Sequence, residues 1–195
     1  MSKQASLPVD SHSGRGWHPA LEELLEAWAS RVAAVEAGHF AMADRLTRDN
    51  FRLGIPVVIL STIIGTSVFA TLGESVGLPL RITVGLLSVA AAVLASLQTF
   101  LRLGERSEKH RVAAALYSAL RRDIESLLAT PRKERPDAEP LFERIKLQMK
   151  AYGKESPAIG EREWAKVRER FELPTGATLP QDHVERVDLP GIDRS

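Results

Sequence analysis

LGIPVVILSTIIGTSVFATL, residues 53–72, and ITVGLLSVAAAVLASLQTFL, residues 82–101, are two segments of 20 residues with no charged side chain. As α-helices rising about 1.5 Å per residue, each reaches about 30 Å, the thickness of a bilayer's hydrocarbon core. The nine residues between them, 73–81, include Gly73, Gly77 and Pro79, which interrupt helices and let the chain reverse. Core helices of soluble bundles keep a polar face or run only about 10 to 14 apolar residues, so a buried soluble hairpin fits this pair poorly. A cleaved signal peptide fits no better, because the first segment begins at residue 53 and is longer than a signal's apolar region.

Charges flank the pair unequally. Arg45, Arg48 and Arg52 precede the first segment, and Arg102, Arg106, Lys109 and Arg111 follow the second. The connection carries only Arg81 against Glu74. Lys and Arg collect on cytoplasmic flanks, which predicts both termini in the cytoplasm, the turn 73–81 on the far side, and a multi-pass protein of the inner (cytoplasmic) membrane.

Both spans carry small and hydroxyl side chains on one side. In the first, Ser61, Thr62, Gly65, Thr66 and Ala70 occupy about half the circumference. In the second, Gly85, Ser88, Ala92, Ser96 and Thr99 fall within about 80°, with Leu86, Val93, Leu97 and Leu101 on the other side. Such stripes allow close helix approach and, in an assembly, can line a wet lumen; close packing is the commoner use. Gln98 is the one larger polar side chain in either span.

Outward from the hairpin, residues 1–18 are rich in Ser and Gly and read as a disordered lead-in. A cytoplasmic helix over 19–52 starts at Pro19, with Glu22 and Glu23 near the positive end of its dipole. It carries a seam spaced four and three, Leu21, Leu25, Trp28, Val32, Val35, His39, Met42 and Leu46, which suits a coiled coil or an antiparallel pair. His39 in that seam reads as a packed residue, since no ligand partners cluster with it. Pro56 implies either a new helix from about Asn50 or a kink in one long helix.

The second span shows no break before Glu105, so a helix over 102–130 is expected to continue from it, with Val112, Leu116, Leu120, Ile124 and Leu127 as its apolar stripe, ending at Thr130-Pro131. A charged linker, 131–136, leads to a helix over 137–153 capped by Asp137, with Leu141, Ile145, Met149 and Tyr152 on its face. A last helix over 160–173 carries Trp164, Val167 and Phe171; its mixed charges favour docking on the bundle over lying on a membrane. Residues 174–195 read as an irregular tail. The predicted fold is an all-α membrane protein: a two-transmembrane helical hairpin with long cytoplasmic helices forming an antiparallel helical bundle.

Composition excludes several chemistries. A net charge of +1 and interspersed signs argue against a nucleic-acid partner, which would need one strongly basic face. With no cysteine there are no disulfides or thiolate sites. The histidines at 12, 18, 39, 110 and 183 have no metal-ligand spacing, so no metal and no cofactor are expected. Gly73-Glu74-Ser75-Val76-Gly77 matches the nucleophile-elbow pattern G-x-S-x-G but lacks the strand, helix and sheet that motif requires. An enzyme is not expected.

The order of anchors is nonetheless familiar. A helix with Trp28, His39 and Ala43 leads through Arg48-Asp49-Asn50-Phe51-Arg52-Leu53-Gly54-Ile55-Pro56 into Val57-Val58-Ile59-Leu60-Ser61-Thr62-Ile63-Ile64-Gly65-Thr66. The second span ends Leu97-Gln98-Thr99-Phe100-Leu101 and is followed by Glu105, Lys109-His110 and the run from Ala113 to Tyr117. Over residues 21–128, and on through the helices to 171, this resembles the SLATT domain, a two-transmembrane effector associated with nucleotide-synthesising and nucleotide-sensing domains in bacterial conflict systems. The resemblance implies a homo-oligomer in the lipid bilayer, a pore or membrane perturbation in an antiphage, abortive-infection response, and a trigger from a separately encoded sensor or a nucleotide second messenger. The alternative is a non-conducting membrane anchor whose cytoplasmic coiled-coil helices bind a partner protein.

Overall fold

A computed structural model describes residues 16–70 and 77–173. Among these the chain is helical without strands: α1 (Pro19–Ala70), α2 (Leu78–Leu101), α3 (Leu103–Ala129), a single 3-10 turn (Arg132–Glu134), α4 (Ala138–Glu155) and α5 (Glu161–Arg170). The lead-in up to residue 15, the G-x-S-x-G match apart from Gly77, and the tail 174–195 lie outside the described residues.

α1 runs unbroken through Pro56, so the first span and the helix before it are one element of 52 residues. A proline removes one backbone donor and crowds the preceding turn, which a long helix accommodates by bending. α2 begins at Leu78 with Pro79 in its first turn, where a missing N–H costs nothing. Residues 78–81, expected in the turn, are therefore helical. The expected continuity between the second span and the next helix fails at one residue. Arg102 adopts a left-handed conformation (φ 46°, ψ 41°), which ends α2, and α3 starts at Leu103. A non-glycine residue there costs of order 1 kcal/mol, and its sequence gives no sign of it.

The chain divides into two units. The first comprises, of the described residues, 16–39 and 112–173. Its core is Leu25, Trp28, Val32 and Val35 of α1, Ala113, Ala114, Tyr117, Leu120 and Ile124 of α3, Leu141, Phe142, Ile145 and Met149 of α4, and Trp164 and Val167 of α5. Trp28 stacks on Phe142 with ring centroids 4.7 Å apart. His39 stacks on Tyr117 at 5.6 Å, and Tyr152 meets Tyr117 edge-on at 6.0 Å. A Cβ at Gly38 would stand 2.8 Å from Ile159 Cδ1, so the absence of a side chain admits the loop before α5. Arg121 pairs with Glu36 at 2.9 Å, joining α3 to α1.

The stripe read on α3 holds at Leu120 and Ile124, which are buried, but not in the helix's first half: Val112 is 52% exposed and Leu116 only half-buried, while Ala113, Ala114 and Tyr117 are buried. α4 runs two residues past Gly153, and α5 closes at Phe171. Asp137 stands at the N-cap of α4, yet its carboxylate makes no capping hydrogen bond. Trp17, expected in the lead-in, is held: its indole N–H donates to Pro136 O at 2.8 Å.

The second unit comprises residues 40–70 and 77–111 of those described. Ser107 Oγ donates to Ala43 O at 2.8 Å, which commits its hydrogen, so Thr47 is the donor in the 2.8 Å bond between the two hydroxyls. Further along, a Cβ at Gly54 would stand 3.0 Å from Gln98 Nε2: the glycine gives the Gln98 amide its place against α1. These two contacts fix an antiparallel register between α1 and the α2–α3 segment.

Candidate functional site

The long apolar helices are the feature that demands an account. In windows of spanning length, none of the residues on α1 and 6% of those on the α2–α3 stretch are buried by the rest of the chain. Ile55, Val58, Ile59 and Ile63 on α1, and Ile82, Leu86, Val89 and Val93 on α2, all point outward. A soluble protein would cover such a surface, which at about 25 cal/mol per Å² is costly to leave in water. Lipid covers it without cost. By length, composition and exposure, these are two candidate membrane-spanning helices.

Residues 21–163 match the SMODS and SLOG-associating 2TM effector domain family 4, and the chain belongs to that family. No curated protein and no solved structure matches the chain.

Within the spans, the face that α2 turns toward its own chain consists of Val84, Leu87, Ala91, Leu94, Ala95 and Gln98, of which Ala91 is buried and the others half-buried. The small-residue stripe lies elsewhere. Gly85, Ala92, Ser96 and Thr99 are exposed, and Ser88 at the stripe's edge is half-buried. Ala92 and Ala91 differ by about 100° around the helix, which separates the two faces. On α1, Ser61, Thr62 and Thr66 are exposed and Gly65 half-buried. Among the described residues, nothing outside the local helix lies within 4 Å of a Cβ built at Gly65 or Gly85. The structure therefore does not bring the small residues of the two spans together.

The hydroxyls of these residues bond along their own helices. Ser88 donates to Val84 O at 2.8 Å, Ser96 to Ala92 O at 2.8 Å and Thr99 to Ala95 O at 3.0 Å. On α1, Thr62 donates to Val58 O at 2.8 Å and Thr66 to Thr62 O at 2.9 Å. Backbone oxygens thus satisfy the hydroxyl hydrogens inside an apolar medium, as a lone chain in lipid requires.

All eight seam residues, Leu21, Leu25, Trp28, Val32, Val35, His39, Met42 and Leu46, are buried. In the second unit His110 is buried too; desolvation, and then Arg106, hold its imidazolium form down. Burial raises the Tyr117 phenol above its ordinary value, partly opposed by a hydrogen bond with Ser156.

One feature of the first unit escaped the sequence reading. Arg135, in the charged linker between α3 and α4, is buried. Its Nε donates to Thr130 O and its Nη2 to Leu128 O, both at 2.7 Å, so it closes the C-terminal end of α3. Its Nη1 bonds Glu22 of α1, and its guanidinium lies 4.8 Å over the Trp17 ring. Arg132 also donates to Glu22, through Nε at 2.8 Å. Hydrogen bonds from Arg132 and then Arg135 lower the Glu22 pKa to about 2. Among the described residues no group of three or more His, Cys, Asp or Glu could hold a metal ion.

Proposed function

We propose that the chain is a non-enzymatic membrane effector of bacterial conflict systems. It inserts its α1–α2 hairpin into the cytoplasmic membrane with both termini inside, and perturbs the bilayer by assembling copies of itself around the small-residue face of α2. The observation that carries this reading is the outward position of Gly85, Ala92, Ser96 and Thr99: the hairpin packs without them, which leaves a face suited to close contact with another helix. The family's description as effector domains supports the same direction. The basic flanks at 45–52 and 102–111 support the orientation. A separately encoded sensor, or the nucleotide it makes, supplies the trigger.

The test is membrane potential during controlled expression in bacteria, with the parent compared with an Ala92→Leu, Ser96→Leu variant at matched membrane levels. Both substitutions lie off the intramolecular contact, so the hairpin survives them. Expressed at levels where mass action drives assembly without the trigger, the parent is expected to depolarise the membrane and the variant not to. Equal depolarisation by both would refute assembly through this face. A silent parent that still captures a cytoplasmic partner would support the membrane-anchor alternative instead.

A further inference from the structure

The register of the second unit brings basic and aromatic side chains to one level. Gly54 faces Gln98, and Thr47 faces Ser107. That spacing sets Phe51 and Arg52 of α1 level with Phe100 and Arg102 at the end of α2, and Arg48 about one turn below them. Phe51 is 60% exposed and Phe100 84% exposed. The side chains of Arg52 and Arg102 are 77% and 74% exposed, and among the described residues their ion-pair contacts are those of 3.4 Å and 3.6 Å to Asp49 and Glu105. Arg48 and Arg106 are exposed, and among the described residues neither has an ion-pair partner. The apolar band thus ends in two exposed aromatics, Phe51 and Phe100, followed at once by exposed guanidinium groups.

We propose that this collar binds the phosphates of anionic phospholipids in the leaflet beside the chain's basic flanks. The proposal rests on the membrane reading but not on pore formation. Phenylalanine rings at the edge of the apolar band favour acyl chains, and guanidinium groups match phosphate oxygens in bidentate fashion. Glu105 pairs with Lys109 at 2.8 Å as well as with Arg102 at 3.6 Å, so its one carboxylate offsets the collar's cations only in part. The left-handed Arg102 adds to this: by ending α2 directly after Phe100 and Leu101, it sets a cation at the edge of the apolar band. A free phosphate shares the headgroup's chemistry but gains nothing from Phe51 and Phe100, which sit beside acyl chains. The lipid is therefore the favoured source.

The experiment uses the purified full chain in neutral detergent, with bound lipid read by native mass spectrometry on addition of phosphatidylglycerol, phosphatidylcholine or inorganic phosphate. An Arg52→Gln, Arg102→Gln, Arg106→Gln variant removes three charges, and the corresponding triple Lys variant retains them. Gln cannot form the charge-assisted bonds to a phosphate that a guanidinium or ammonium group forms, so the Gln variant should lose at least about tenfold in phosphatidylglycerol binding while the Lys variant keeps most of it. Reconstitution into phosphatidylcholine vesicles, followed by an alkaline wash, checks that every variant still inserts. Equal binding of the two lipids, retained phosphatidylglycerol preference in the Gln variant, or equal occupancy by inorganic phosphate would each overturn the proposal and leave the membrane reading intact. Loss of the parent itself in the alkaline wash would sink both.

Discussion

Replacing Arg135 by methionine isolates the lock on α3. The change keeps an apolar stem of similar length and deletes the donors to Leu128 O and Thr130 O. Hydrogen bonds from a charged donor are worth about 1.5–3 kcal/mol each. Leu128 and Thr130 are half-buried, so water satisfies part of what is lost, and the lower figure applies to each. The stacked Trp17 adds about 0.5–1 kcal/mol, and Glu22 keeps its bond to Arg132. The expected loss is about 3–4 kcal/mol, a large share of the roughly 5–15 kcal/mol that holds a domain folded. All three tryptophans, Trp17, Trp28 and Trp164, belong to this unit, so intrinsic fluorescence during urea unfolding in nanodiscs reads it selectively. Arg135→Lys should recover less than half of the loss, because an ammonium group lacks the planar fork that reaches two carbonyls and a carboxylate together. A loss below about 1 kcal/mol for Arg135→Met, or full recovery with lysine, would refute the reasoning and show that water closes the helix end.

Three further outcomes follow from the geometry. The Glu22 carboxyl, lowered from 4.5 to about 2 by its arginines, contributes stability that is fully present above about pH 4.5 and is lost as pH falls through about 2; the stability gap between parent and Glu22→Gln should close across that window in acid unfolding followed by fluorescence. On α3, Val112→Ser at an exposed position should change stability by less than about 0.5 kcal/mol, whereas Ala114→Leu in the filled core should cost about 1–3 kcal/mol, measured by the same urea titration. Thr47→Cys with Ser107→Cys should cross-link under mild oxidation in membranes, since their oxygens lie 2.8 Å apart and the chain has no other cysteine; failure to cross-link in an inserted protein would contradict the register of the second unit.

Much of the fold was legible because its main signal is crude. Forty charge-free residues in two blocks leave few places to go but lipid, and a glycine- and proline-bearing connection turns the chain between them. Finer features turned on competing side chains. On α3 the larger Val112 and Leu116 drew the apolar stripe toward themselves, while the buried phase runs through Ala113, Ala114 and Tyr117, whose small members leave room for the Tyr117 ring between His39 and Tyr152. In α2 both the contact face and the outward face contain small residues, and only three-dimensional packing separates Ala91 from Ala92. Arg135 sat in a run of charges that reads as solvated; its burial depends on where Glu22 and Trp17 arrive from far away in sequence. The left-handed turn fell on Arg102, although Gly104 two residues later is the residue type that such a conformation favours.

The hydroxyls of the spans carry one more consequence. Ser88, Ser96, Thr99, Thr62 and Thr66 each turn their hydrogen back onto a carbonyl of their own helix. What each oxygen offers away from the helix is its remaining lone pairs. Any water column enclosed by copies of this surface would be walled by acceptors with few donors among them. Such a wall is electronegative in the manner of a carbonyl-lined filter, so it would favour the passage of cations over anions.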